Sequence, residues 1–145
     1  MLRKILGRAR PTVSFNTDKP QVEQNLRYIA GALPEAHWLV LMTSNGLARG
    51  FFPAQSSISQ DRISAMSAAI LSLGERIAKE LNAGNLQYSL IAGSEGVTLA
   101  LVLSHDYVLT IGLNRGIMIE VVREKLRTSI VPLLNALQLE LPPWL

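Results

Sequence analysis

"TSNGLARG", residues 43–50, joins an apolar run at 37–42 to the aromatic pair Phe51-Phe52. Two readings compete. Either a glycine-containing loop offers its backbone amides to a phosphate, which would point to a nucleotide enzyme, or a tight turn sends one strand back along another. A phosphate loop needs Gly-x-x-x-x-Gly-Lys followed by Ser or Thr, placed between a strand and a helix. Here Gly46 and Gly50 are four apart, Arg49 precedes Gly50, and Phe51-Phe52 stands where the lysine and hydroxyl belong. The dinucleotide pattern Gly-x-Gly-x-x-Gly does not occur either. The stretch reads as a hairpin turn, because Asn-Gly is the pair that best accepts positive φ at both central positions of a two-residue loop.

The elements on each side follow from that turn. Residues 37–43 are apolar at nearly every position, which predicts a strand covered on both faces, and 47–52 is its returning partner. Upstream, Thr17 or Asp18 can cap a helix with Pro20 in its first turn, and Val22, Leu26, Ile29 and Leu33 paint one stripe along it. Downstream, a polar loop at 53–59 leads to a long helix at 63–81, opened near Asp61 and stopped at Asn82-Ala83-Gly84, where the glycine can turn left-handed. Ile63, Met66, Ile70, Leu73, Ile77 and Leu81 form one stripe of that helix. Ser64, Ala65, Ser67, Ala68, Ala69, Ser72 and Gly74 form a second, of small residues. Such a helix can pack on two things at once.

Strands at 86–93, 97–104 and 107–113 follow, with connections so short that they must be antiparallel hairpins. The last helix carries Ile119, Val122, Leu126, Ile130, Leu133 and Leu137, and Pro132 should interrupt it. The expected fold is α+β: a five-stranded antiparallel sheet between helices, in the order α-β-β-α-β-β-β-α. The expected units are a basic arm at 1–16, a domain at 17–138 and a proline-rich tail at 139–145.

Composition narrows the function. At 145 residues with 48% hydrophobic side chains, the chain forms one domain with apolar surface to spare, which points to an oligomer. The net charge of +3 sits in the arm: Arg3, Lys4, Arg8 and Arg10 precede the first acid, Asp18, and leave ten basic against eleven acidic residues in the rest. The body therefore lacks the basic stripe that nucleic-acid binding needs, although the arm allows weak contact with a membrane surface. No cysteine is present, which removes thiolate chemistry and sulfur-ligated zinc. No run of about 18 apolar residues forms a transmembrane segment, and residues 1–10 lack the core of a signal peptide, so a cytoplasmic location is the default.

No catalytic constellation emerges. His37 and His105 have no second ligand at a useful spacing, so His37 reads as half-buried beside Trp38 and His105-Asp106 as a turn. Glu75 and Glu80 share a helix with Arg76 and Lys79 and read as a solvated face, while Arg49 and Arg115 lie near turns. The expectation is a protein that is not an enzyme, with no catalytic, cofactor-binding or metal-binding residues and no cofactor.

The stretches "WLVLMTSNGLARG", "DRISAMSAAILSLGERIAKEL" followed by Gly84, and "YSLIAGSEGVTLALVLSHDYVLTIGL" resemble, in their order, the roadblock/dynein light chain family. Gly46, Ala65, Ala68, Ala69, Leu73, Gly74, Gly84, Gly96 and Leu113 fall where that pattern has its glycines, small residues and leucines. The resemblance implies a profilin-like α/β/α subunit. It also implies a homodimer in which the second helices pair through Ala65, Ala68, Ala69 and Ser72, and the third strands join edge to edge through Leu86, Tyr88 and Leu90. Its bacterial and archaeal members often serve small Ras-like GTPases as activators, exchange factors or scaffolds. The residues that would meet such a partner here are Gln60, Arg62, Arg76 and Lys79. The alternative is a structural adaptor that tethers a motor, filament or membrane-associated complex without responding to nucleotide.

Overall fold

The computed structural model describes residues 18–145. The expectations for the arm at 1–16 and for a Thr17 cap lie outside the described residues. The elements are α1 (Lys19–Ala32), β1 (Ala36–Thr43), β2 (Ala48–Phe52), α2 (Gln60–Glu80), β3 (Tyr88–Ala92), β4 (Val97–Val102), β5 (Tyr107–Leu113), α3 (Ile119–Ser129) and α4 (Val131–Ala136). The five strands form one sheet in the order β2-β1-β5-β4-β3, every neighbouring pair antiparallel. This is the α+β arrangement that the sequence predicts.

The side chains alternate across the sheet and divide the core in two. One face carries Leu39, Leu41, Leu99, Leu101, Leu109 and Ile111, all fully buried under α1, α3 and α4. The α1 stripe of Val22, Leu26, Ile29 and Leu33 enters this core completely. Asp18 stands at its N-cap without a side-chain capping bond, so Pro20, which needs no amide partner in the first turn, does more to define that start. The other face carries Met42, Ala100 and Val108 under Leu71 of α2, with Trp38, Val40 and Phe51 beside them. Trp38 stacks on Phe51 and lies across Gly112, where any Cβ would fall 2.2 Å from the indole Nε1.

The turn at the centre of the sequence reading is a hairpin, but not a two-residue one. Gly46 N–H donates to the Thr43 carbonyl (3.0 Å) and Thr43 N–H to that of Leu47 (2.8 Å), which leaves Ser44, Asn45 and Gly46 as a three-residue loop. Only Gly46 takes a positive φ, +94°, as in a type I turn closed by a left-handed glycine. The strand pairing then slips by one residue, so that Arg49 forms a bulge between Gly50 and Ala48.

Both helical stops use non-glycine residues. After α2, Asn82 (φ +54°) rather than Gly84 is the residue that turns left-handed at the helix end. Ala83 N–H reaches the Ala78 carbonyl at 2.7 Å and Asn82 N–H that of Lys79 at 3.1 Å, a Schellman closure. Gln138 (φ +59°) does the same after α4, with Leu139 N–H on the Leu134 carbonyl. The break between α3 and α4 falls at Ile130, because Pro132 has no N–H to give back to the preceding turn.

The Gln138 stop turns the segment 139–145 back onto the domain, so the Pro-rich tail is part of the packed unit. Leu145 is buried in the main core and the Trp144 ring packs on Tyr88 with centroids 5.8 Å apart. Arg127 donates to the Leu145 carbonyl from Nε (3.2 Å) and Nη2 (2.9 Å), and Arg123 donates to that of Trp144.

Two outcomes test this description. Gly46→Val places a branched Cβ at positive φ, 3.3 Å from Ala68 Cβ and 3.4 Å from Ala65 Cα. It should cost about 2 kcal/mol and lower the melting temperature by roughly 5–10 °C; an unaltered transition would contradict the turn. The second concerns Lys125, whose Nζ donates to both carboxylate oxygens of Glu35 at 3.0 and 3.2 Å, tying α3 to the α1–β1 connection. That hydrogen bond, assisted by Glu35's own amide, holds the Glu35 carboxyl below its ordinary range. A lowered folded value means the stabilisation is present above the unfolded carboxylate range and is lost as pH falls through the folded value. In Lys125→Met the Glu35 carboxyl, followed by NMR, should titrate at higher pH than in the parent protein.

Candidate protein-interaction surface

Helix α2 begins where Ser59 Oγ accepts from Arg62 N–H (3.3 Å), with Asp61 in the first turn and Lys79 in the last, both favourable to the helix dipole. Its orientation divides each of its two stripes. Part of the small set turns inward: Ser64 is fully buried, Ser67 nearly so, and Ala68 packs against the Gly46 turn, while Ala65, Ala69 and Ser72 stay exposed. Leu71, which belongs to neither stripe, is buried in the core, and Ile63, the first residue of the large stripe, packs on Trp38, Val40 and Phe51.

The rest of the large stripe faces out. Met66 is 54% exposed, Leu73 52%, Ile77 50% and Leu81 71%, with Ile70 at 38%. Five large apolar side chains on one helix face are more than scattered surface hydrophobics, and they mark a surface built to be covered. The sheet edge nearest the C-terminal half of this helix is β3, which pairs only with β4 among the described residues and exposes Leu90 and Ile91. It carries no charged side chain, so its free backbone groups are an open template for another strand.

The residues expected to pair two copies divide accordingly. Ala65, Ala69, Ser72 and Leu90 are exposed. Ala68, Leu86 and Tyr88 are held within the chain: Ala68 by the turn, Leu86 over Gly74 on α2, and Tyr88 under Trp144. At Ala68 smallness is used within the chain, because the helix comes close to the Gly46 turn there.

Of the residues expected to meet another protein, Arg62 and Arg76 are exposed and Gln60 is partly covered. Lys79 is exposed but lies 3.7 Å from Glu75, one turn back. Glu75 is more than a solvated charge, since its Oε1 accepts from Leu86 N–H (3.1 Å) and fastens the approach to β3. Arg115 likewise donates to the Ser94 carbonyl (3.4 Å).

A cleft of about 530 Å³ lies between α2 and the β4–β5 hairpin, floored by Leu71, Val102 and Val108 and rimmed by Ser72, Glu75 and His105. No three of its His, Asp and Glu residues converge, nor do any elsewhere among the described residues. His37 is exposed on β1 rather than half-buried. No helix among the described residues is long and apolar enough to cross a membrane.

No protein-family model matches the sequence, and no curated protein matches it significantly. The architecture does match solved structures. A roadblock/LC7 domain from Streptomyces avermitilis superposes with a TM-score of 0.67 at 14% identity, over 78% of this chain and 97% of that one. MglB of Myxococcus xanthus gives 0.69 at 13% identity, over 82% and 89%. The gliding protein MglB of Thermus thermophilus gives 0.66 at 14%, over 81% and 91%. Identities this low speak to architecture alone, and on that ground the chain has the roadblock/LC7 fold.

Proposed function

We propose that two copies of this chain associate through the α2 stripe and the β3 edge, and that the homodimer binds a small Ras-like GTPase and regulates or scaffolds it by contact. The observation that carries this reading is the outward stripe of Met66, Ile70, Leu73, Ile77 and Leu81 beside an uncharged free strand edge, on a roadblock/LC7 fold. The role of partner follows from the resemblance to bacterial and archaeal roadblock proteins. In this reading the protein is not an enzyme. It shifts the population of the GTPase's switch conformations by binding one of them more tightly, which needs rigid complementary surface rather than a nucleophile or a base. Arg76 and the start of α2 at Gln60 are exposed or partly exposed polar groups that could meet such a partner once the apolar stripe is covered.

Two substitutions separate association from folding. Leu73→Arg changes an exposed side chain, so it should keep native helix content by circular dichroism while shifting the protein to monomer in sedimentation. Ala68→Arg forces a charged chain between α2 and the Gly46 turn and should cost several kcal/mol of folding stability, as an unpaired buried charge does. A monomeric parent protein, or a Leu73→Arg variant as dimeric as its parent, would refute the interface.

The partner is tested by pull-down of the tagged protein from its own cell extract with GDP, a GTP analogue or no nucleotide. A small GTPase should be enriched in one nucleotide state, and the purified pair should then show altered turnover or exchange. Recovery of filament, motor or membrane components alone, indifferent to nucleotide, would favour the structural adaptor.

A further inference from the structure

Along α2, Arg62, Met66, Ile70, Leu73, Ile77 and Leu81 are spaced by four, four, three, four and four residues. That series is the same from either end. A second α2 laid antiparallel against the first therefore meets it in one self-matching register: Ile70 lies against Leu73 of the second copy, Met66 against Ile77, and Arg62 beside Leu81. In any register displaced from this one, large side chains at one end of the stripe lose their apolar partners to water.

Charge singles out the same register. Arg62 and Glu80 are eighteen residues apart, which is about five whole turns at 3.6 residues per turn, so they project from the same flank of the stripe. In an antiparallel pair the equivalent flanks of the two helices meet. The self-matching register then brings Arg62 of each copy to Glu80 of the other, twice, at the two ends of the seam. Both residues are exposed, and neither makes an ion pair among the described residues. The other charges of α2 stand clear of the seam: Lys79 and Glu75 pair with each other on the far side, Asp61 lies in the first turn, and Arg76 lies further round the helix than Arg62 and Glu80.

Resting on the self-association proposed above, we infer that the Arg62–Glu80 pair fixes the register of two α2 helices and makes the chain select a second copy of itself. This assigns Arg62 to the seam rather than to the GTPase. The stripe provides attraction of a kind that any apolar helix could share. The charge pair adds a condition that a helix with a different sign at either position fails.

A charge-swap mixture tests this. Arg62→Glu alone opposes carboxylates at both ends of its homodimer, and Glu80→Arg alone opposes guanidinium groups at both ends of its own. Each variant should dimerise at least about tenfold more weakly than the parent, with an unchanged circular dichroism spectrum. Mixed in equal amounts, they restore an attractive pair at each end, so native mass spectrometry should show mainly heterodimer. A statistical mixture, or single variants as dimeric as the parent, would overturn the register while leaving self-association in place. A parent protein that stays monomeric at all concentrations would overturn both.

Discussion

The structure depends on how near α2 can come to the sheet at the Gly46 turn. The turn rises from the sheet into the path of the helix, and a Cβ on Gly46 would already touch Ala68. Only small side chains fit there, and Ser64, Ala65 and Ala68 supply them. Ser64 is fully buried there. Once small residues face inward, helix geometry carries Met66, Ile70, Leu73, Ile77 and Leu81 outward, because a helix cannot bury two faces against one sheet. The outward apolar stripe is thus a consequence of the close contact beneath it.

The two layers that flank the sheet are unequal for the same reason. Under α1, α3 and α4 the core is thick with leucine and closes on itself, and the tail completes it with Leu145 while Arg127 and Arg123 hold the final carbonyls. Under α2 the contact is thinner: Leu71 is buried and Ile63 packs on Trp38, Val40 and Phe51, and a cleft opens beside Leu71 toward His105. Stability comes mainly from the first layer. The second layer offers surface. Tyr88 links the two, because it lies on the edge strand yet packs against Trp144 of the tail, so the position of β3 is set from the thick side of the domain.

How much of this the sequence reveals depends on whether a pattern has one structural solution. Runs such as 37–43 and 107–113, apolar at nearly every position and bounded by turns, fit a covered strand, and both appear where expected. The Pro132 break likewise has one solution, a helix end. Helix α2 has two. Its large and small faces are both compatible with burial, and periodicity cannot say which meets the protein's own sheet; that is decided by the height of a turn nearly twenty residues away in sequence. The turn is legible in kind but not in length, since Asn-Gly also suits a three-residue loop in which only the glycine is left-handed. The tail is illegible for a different reason. Prolines exclude a helix there, but nothing local announces that Gln138 turns left-handed and sends Trp144 back to Tyr88.

The proposed role by contact sets a physical requirement on the surface. To bias a partner between two conformations, it must fit one better than the other, and it must not yield to fit both. The elements under α2 resist yielding: the helix is capped by Ser59, closed at Asn82, seated on the turn through Ala68 and held to β3 by the Glu75 bond to Leu86. An apolar stripe on a rigid helix is costly to leave in water, which drives association, but it has little power to choose among apolar partners. Choice has to come from the polar residues along its margins, where a mismatched charge loses its hydration and gains nothing in return. In this chain those margins hold Arg62 and Glu80, exposed and free of ion pairs among the described residues, so in the proposed dimer selectivity would reside beside the stripe rather than in it.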